Sequence, residues 1–276
     1  MNATPPAYAA HVVTPPVSLS PSSASTFDQC PRRFRYSAID QIAEPATNAT
    51  AKGTAVHRSL ELLFSMIDRG QRTREHASKF LAEACEELSQ DGTFSGIADF
   101  PGLEKFISLA ETSLDGYFSM EDPNVPVAIL TETKLTRLLG QGELRGIIDR
   151  VDEAPDGSLS IIDYKTGKPP RAGYEDKEFR AMRTYALLLR EHVGKTPVSL
   201  NLYYLRDGLR LTQPCDDRVV TASLRRTQAL WSTITTSCEQ DRFQPKPGPL
   251  CGWCAFQPFC PGDAPVELLN TRIRRT

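Results

Sequence analysis

Gly146-Ile147-Ile148-Asp149-Arg150-Val151-Asp152 is followed, after a Pro155-Asp156-Gly157 turn, by Leu159-Ser160-Ile161-Ile162-Asp163-Tyr164-Lys165. Both runs are rich in β-branched and apolar residues and read as strands. Pro-Asp-Gly between them is turn chemistry, so the pair reads as a hairpin. With Asp156 at the centre of the turn, residues equally distant on either side oppose each other. Asp149 and Asp163 are each seven positions away, and so face one another across the ladder. Lys165 follows Asp163 by two and points to the same side. Opposed side chains hold their Cβ atoms roughly 4.5–5.5 Å apart, and carboxylates that close repel unless a cation or proton lies between them. A bulge in the turn would shift the register by one and separate them. Ile147, Val151 and Ile161 share the face, which predicts a half-buried surface rather than a solvated one with a chance Asp-Lys pair. Two acids and a lysine on such a face suit a divalent cation with a cationic helper.

Outward from this hairpin the periodicity changes. Residues 127–137, 143–152, 159–165 and 198–205 read as strands, with 209–214 as a candidate for another. Residues 74–90, 102–120, 177–192 and 217–239 carry apolar stripes at helical spacing. A further helix opens at Gly53-Thr54, with Thr54 as N-cap, Val56, Leu60, Leu63 and Ile67 on one face and Gly70 as its end. His57 then falls in the first turn, where the positive end of the helix dipole favours the neutral imidazole. Ser25 and Asp28 have capping-box spacing for an earlier helix, and Pro31 suits the first turn of a short one. Helices come first, then β-β-β, then α, then β (with 209–214 as a candidate further strand), then α, which is an α/β (α+β) core with an N-terminal helical part. Residues 1–20 read as a disordered tail, 21–265 as one domain with a helical insertion at 74–120, and 266–276 as a second tail.

The chain has 276 residues, with 32 Lys+Arg against 34 Asp+Glu for a net charge of −2. That excludes a broadly basic nucleic-acid binder but leaves room for a local basic groove. No run approaches the ~20 apolar residues that span a bilayer, and the first residues lack the pattern of a signal peptide. We therefore expect a cytoplasmic protein with no membrane contact. Thiols there stay mostly reduced, so clustered cysteines favour metal over disulfide. Three of the seven, Cys251, Cys254 and Cys260, cluster near the C-terminus. They lack a fourth ligand nearby, and their spacing alone fits zinc or an iron–sulfur cluster. Cys85, Cys215 and Cys238 have no such spacing and read as ordinary thiols. Arg32, Arg33 and Arg35, interleaved with Phe34 and Tyr36, fit either a single-strand phosphate and base-stacking surface or a solvated helix face over two core aromatics.

Gly146-Ile-Ile-Asp149-Arg150-Val-Asp152 with Ile162-Asp163-Tyr164-Lys165-Thr166-Gly167-Lys168 resembles the RecB-like branch of the PD-(D/E)xK nuclease superfamily. Three other segments fit that branch. Ser22, Ala24 and Ser25 with Cys30-Pro31 and Phe34 resemble its N-terminal motif, Gly53-Thr54-Ala-Val-His57 its GxxxH helix start, and Cys251, Cys254 and Cys260 the C-terminal half of its iron–sulfur signature. The resemblance covers about residues 18–262, and the layout is similar to compact CRISPR-associated and AddB-type nuclease domains. It implies a restriction-endonuclease-like mixed sheet flanked by helices, closed at the C-terminus by an iron–sulfur tail. It implies metal-dependent hydrolysis of DNA phosphodiesters, at single-stranded ends, in repair or recombination. His57, Asp149, Asp163 and the Tyr164 carbonyl would hold Mg²⁺ or Mn²⁺, the imidazole favouring Mn²⁺. Lys165 would position or activate the attacking water, and Cys30, Cys251, Cys254 and Cys260 would carry a [4Fe–4S] cluster. Tyr185 matches the helix tyrosine of the family, but the Gln that often precedes it by four residues is Ala181 here. Arg180 and Arg183 stand beside it as candidates for phosphate. Glu132 on the preceding strand could add a second cation or water site. The sequence holds no GxxxxGK[ST] loop, so unwinding would fall to a helicase or another repair partner. Two other readings are a non-catalytic DNA-end-binding subunit and a redox-responsive iron–sulfur regulator.

Overall fold

The computed structural model describes residues 13–140 and 142–260. Of the expected tails, residues 1–12 and 266–276 lie outside the described residues. The chain forms two compact units, one from Met1–Ala43 with Thr227–Thr276, the other from Glu44–Arg226. This differs from the single domain expected over 21–265. The difference arises because the chain ends carry an apolar core of their own, built from Leu19, Phe27, Phe34, Trp231, Ile234, Cys238 and Phe243.

In the unit of the chain ends, a short strand β1 (Ser18–Leu19) precedes helix α1 (Pro21–Gln29). Ordered structure thus begins before residue 20, within the stretch expected to be a tail. Ser20 caps α1: its Oγ accepts the Ser23 N–H at 3.1 Å, and Ser23 Oγ accepts the Ser20 N–H at 2.8 Å. This reciprocal box, with Pro21 at the first helical position, outcompetes the Ser25/Asp28 spacing further in. Helix α2 (Pro31–Phe34) starts at its proline as expected and runs into a π turn at Arg35–Ile39.

The Glu44–Arg226 unit is built from helices α3 (Asn48–Met66), α4 (Arg74–Gln90), α5 (Leu103–Met120), α6 (Asp176–Val193) and the first turns of α7 (Asp217–Glu239). They flank strands β2 (Ala128–Leu139), β3 (Gly142–Glu153), β4 (Leu159–Lys165), β5 (Ser199–Tyr204) and β6 (Leu209–Pro214). The five strands neighbour one another in that order, antiparallel except for the parallel β4/β5 pair. The fold is the expected mixed sheet between helices. Alternate residues of β4 serve two cores: Ile161 packs with α6 residues Phe179, Met182 and Ala186, while Ile162 and Tyr164 pack with α3, α4 and α5. Burial on both faces explains why β4 reads as a nearly continuous apolar run.

Helix α3 starts well before Gly53. Thr47 Oγ1 accepts the Thr50 N–H at 3.1 Å, and Thr50 Oγ1 accepts the Thr47 N–H at 2.9 Å. A capping box therefore precedes the expected Thr54 cap, and Gly53 is absorbed into the helix. His57 is the tenth residue of α3, not in its first turn, so the dipole argument for a neutral imidazole does not apply.

Gly116 of α5 sits against the turn after β5. A Cβ there would lie 1.5 Å from the Leu205 carbonyl oxygen, which belongs to the rigid backbone. Gly116→Ala must push α5 off the sheet and is expected to cost about 3 kcal/mol or more, above the usual overpacking range. Urea denaturation of the purified variant checks it; an unchanged midpoint would show that α5 can shift freely.

Candidate active site

Two hairpins bring three carboxylates into one row. The β3/β4 ladder runs through Arg150↔Ile162, Val151↔Ile161 and Asp152↔Ser160, the register expected from a turn centred on Asp156. Gly157 takes φ +78° in that turn, and Asp156 Oδ1 accepts the Ser158 N–H at 3.0 Å. The ladder stops at Arg150↔Ile162, one step short of Asp149 and Asp163. There, side chains take over the polar groups of Tyr164 that face β3. Its N–H donates to Asp149 Oδ2 at 2.7 Å, and its carbonyl lies 2.9 Å from His57 Nε2. A carbonyl only accepts, so His57 Nε2 carries a proton.

The β2/β3 hairpin turns at Gly140, φ +58°, and pairs Thr131↔Arg150 and Thr133↔Ile148. Glu132 falls opposite Asp149, is not part of the regular ladder, and takes φ +41°. Alternation in β3 switches here: Ile148 and Val151, three apart, pack in the same core. This corrects one expectation, since Ile147 is 50% exposed instead of sharing the buried face with Val151.

The resulting cluster is dense in charge. His57 Nδ1 lies 3.3 Å from Glu132 Oε1 and 3.4 Å from Asp149 Oδ2. Among the described residues, His57, Glu132 and Asp149 form a group close enough to share one cation. Lys165 Nζ lies 2.5 Å from Asp163 Oδ2, yet that buried oxygen has no partner in hydrogen-bonding geometry. Burial and the neighbouring Asp163 push the Asp149 carboxyl up to about 6, against the pull of His57. Burial works against a charged His57, but hydrogen bonds to Asp149 and Glu132 outweigh it and raise its pKa to about 11. Without a metal, His57 is an imidazolium, contrary to the neutral form expected from a first-turn position. Burial likewise opposes the Lys165 charge, and Asp163 and Asp149 more than restore it, so its pKa is raised. Tyr185, on α6, feels Asp163, Asp149 and Glu132, and chiefly burial raises its phenol well above the usual range. Its ring rests on Gly146, where a Cβ would come within 2.8 Å of it.

Beneath the acids, Arg150 is wholly buried. Its guanidinium donates to both Glu121 oxygens at 2.7 and 2.9 Å, to Asp152 at 2.9 Å and to the Tyr164 hydroxyl at 2.9 Å. It also lies over the Phe64 ring at 4.6 Å. α5, β3 and β4 are thereby tied to one charged hub.

The candidate nucleic-acid arginines have other duties. Arg32 Nε donates to the Phe243 carbonyl at 2.9 Å, and Arg35 pairs with Asp40 at 3.4 Å and with Asp241. Arg33 shares α2 with Arg32. Phe34 and Tyr36 are buried, which selects the core-aromatic reading over base stacking for these two rings. Arg180 on α6 is 43% exposed, 3.6 Å from Asp176. Cys30 and Cys251, Cys254 and Cys260 fall in the same unit. Chiefly burial, and then the proximity of Cys30, Cys251 and Cys254, raises the Cys260 thiol.

A helix-flanked mixed sheet with an Asp-Asp-Lys cluster at the end of its central hairpin defines a restriction-endonuclease-like core. The family model of the PD-(D/E)XK nuclease superfamily matches residues 18–261, and the chain belongs to that superfamily. Over 161 residues it is 26% identical to an ATP-dependent helicase/deoxyribonuclease subunit of Streptococcus uberis (strain ATCC BAA-854 / 0140J), a match covering 55% of this chain and 14% of that protein. The same-named protein of Streptococcus mutans serotype c (strain ATCC 700610 / UA159) is 28% identical over 159 residues, again 55% and 14%. The chain thus corresponds to a small part of these relatives. A solved structure of a provisionally named exonuclease from Eubacterium rectale superposes with a TM-score of 0.51, at 10% identity and 98% coverage of both chains, and shows the fold alone. No helix among the described residues is long and apolar enough to cross a membrane.

Proposed function

We propose that this chain is a divalent-metal-dependent deoxyribonuclease that removes nucleotides from single-stranded DNA ends. The observation that carries the reading is the convergence of two buried carboxylates, Asp149 and Asp163, with His57, whose Nε2 lies 2.9 Å from the Tyr164 carbonyl oxygen. Buried carboxylates that raise one another's charging cost are relieved by a bound cation, which such an oxygen-rich site suits. Asp149, Asp163, His57 through Nε2, and the Tyr164 carbonyl would hold Mg²⁺ or Mn²⁺, with His57 releasing its Nε2 proton. Such a cation, when bound, polarises the scissile phosphate and lowers the pKa of an attacking water.

The protein's own groups do the rest. Lys165, held cationic by Asp163, faces developing negative charge and orients the nucleophile; its raised pKa makes it a poor base. Tyr185 stays protonated and offers its O–H to a phosphate oxygen. Arg180 and Arg33 would contact the phosphate backbone, and the helicase/deoxyribonuclease relatives suggest a helicase that delivers the strand. The four cysteines, which resemble the family's iron–sulfur signature and fall in one unit, would hold a [4Fe–4S] cluster joining the chain ends.

Incubation of end-labelled single-stranded DNA with Mn²⁺ tests this, alongside a covalently closed circle of the same sequence. Loss of label from the linear strand only, blocked by a chelator, is the expected result. Equal cutting of the circle would remove the end requirement, and no cutting of either would remove the activity. The same preparation, made without oxygen, should carry about four irons per chain; zinc instead would reject the cluster.

A further inference from the structure

Glu132 is the one member of the acid row whose backbone is strained. A glutamate at φ +41° is uncommon, and departures of this kind persist where the surrounding structure enforces them. The strained residue stands directly across the hairpin from Asp149, at the point where β3 changes its alternation. What the distortion achieves is visible in its side chain: Oε1 reaches His57 Nδ1 at 3.3 Å.

The two ring nitrogens of His57 face different chemistry. Nε2 and the Tyr164 carbonyl oxygen are 2.9 Å apart. Adjacent ligands on one cation, each at about 2.0–2.2 Å, stand about 3 Å apart, so this pair is spaced to share a metal. Nδ1 faces Glu132 and Asp149; Asp149 Oδ2 is the farther, at 3.4 Å, and is shared with the Tyr164 N–H at 2.7 Å, whereas Glu132 Oε1 makes the hydrogen bond to Nδ1 at 3.3 Å. Glu132 is therefore the chief acceptor for an Nδ1–H.

Resting on the metal-site reading above, we infer that Glu132 is a positioning residue that locks His57 as the Nδ1–H tautomer and presents Nε2 to the cation. Histidines bound to metals usually donate their other ring N–H to a carboxylate or carbonyl, which fixes the ring and increases its basicity. Asp149 and Asp163 do not fill this role, because both belong to the cation's own ligand set.

Mn²⁺ titration calorimetry on the full-length metal-free chain tests this without reference to cleavage. Glu132→Ala should weaken Mn²⁺ about 10–100-fold, the usual effect of losing such a partner. Glu132→Gln keeps an oxygen that accepts Nδ1–H, and should recover binding to within about tenfold of wild type. Were Glu132 a direct ligand, Gln would lose as much as Ala and as much as Asp149→Asn, and that result overturns the inference. Undiminished binding by both variants overturns it as well. If the wild type binds no Mn²⁺, the metal-site reading itself falls, and this inference with it. A second measurement covers a variant that fails to fold: long-range ¹⁵N NMR of the wild-type chain loaded with diamagnetic Zn²⁺ should show His57 protonated at Nδ1 and metal-shifted at Nε2. The reverse assignment rejects the proposal.

Discussion

Asp163→Asn and Lys165→Ala should each reduce DNA cleavage about 10³-fold or more while leaving a folded chain. Both partners are fixed by β4, two residues apart on one face, and Lys165 Nζ lies 2.5 Å from Asp163 Oδ2. Asp163→Asn keeps the shape of the side chain and removes its charge. The cation then loses a ligand oxygen, and Lys165 loses the carboxylate that first sustains its ammonium against burial. Lys165→Ala keeps the acids but removes the cation that faces the developing charge. The two variants therefore separate in metal binding: Asp163→Asn should weaken Mn²⁺ markedly, Lys165→Ala far less. A further signature belongs to Asp163→Asn alone. Asp163 is the second cause, after burial, of the raised Asp149 pKa. With that charge gone, the Asp149 carboxyl should titrate nearer the ordinary aspartate range in a carbon-detected NMR titration. Cleavage at wild-type rates by either variant would place the chemistry elsewhere.

The hairpin that carries these residues is legible in sequence because turn chemistry and strand alternation act locally. Pro155-Asp156-Gly157 fixes a centre, and the centre fixes which residues oppose. The same arithmetic, applied to a turn centred midway between the paired Leu139 and Gly142, sets Glu132 opposite Asp149. That turn holds no comparable Pro-Asp-Gly signal, so sequence alone offers Glu132 only as a second cation or water site and does not pair it with Asp149 or His57. The start of α3 is hidden for a related reason. Gly53 looks like a break, but Thr47 and Thr50 satisfy the exposed N–H groups nearly two turns earlier, and a single glycine costs a helix only ~1 kcal/mol. The state of His57 is out of reach of sequence altogether. It depends on Asp149 and Glu132 converging on the helix from two strands, and those contacts outweigh burial. The arginines of α2 and the turn after it show the converse limit: their pattern suits nucleic acid, yet Arg32 and Arg35 turn to Phe243, Asp40 and Asp241, far away in sequence or hidden by the fold.

Arg150→Met should be the most destabilising single change in the Glu44–Arg226 unit, at about 3–5 kcal/mol. The hub is wholly buried, so methionine fills much of the volume but leaves Glu121 and Asp152 without their counter-charge. A buried pair contributes little net stability when intact, because desolvation offsets attraction, and breaking one side exposes that whole cost. The pH dependence identifies the mechanism. In the wild type, burial would raise the Glu121 carboxyl, but Arg150 holds it below its ordinary value. A depressed carboxylate adds stability above its unfolded pKa and loses it as pH falls through the folded one. Without Arg150 the burial penalty prevails, the folded pKa rises above the unfolded one, and the contribution changes sign. The stability gap between variant and wild type should therefore widen as pH rises from roughly 4 to 6, and narrow on acidification. Urea melts at several pH values measure it; a gap independent of pH would mean that packing, not charge, is what Arg150 supplies. A double replacement, Arg150→Met with Glu121→Gln, should recover part of the loss, because one of the two stranded charges is gone. Cleavage should not recover to the same extent. The Arg150 guanidinium also holds the Tyr164 hydroxyl at 2.9 Å, and Tyr164 presents its N–H to Asp149 and its carbonyl to His57. The charged hub thus positions the strand end on which the metal ligands converge, and a repaired core without it leaves that end free to drift.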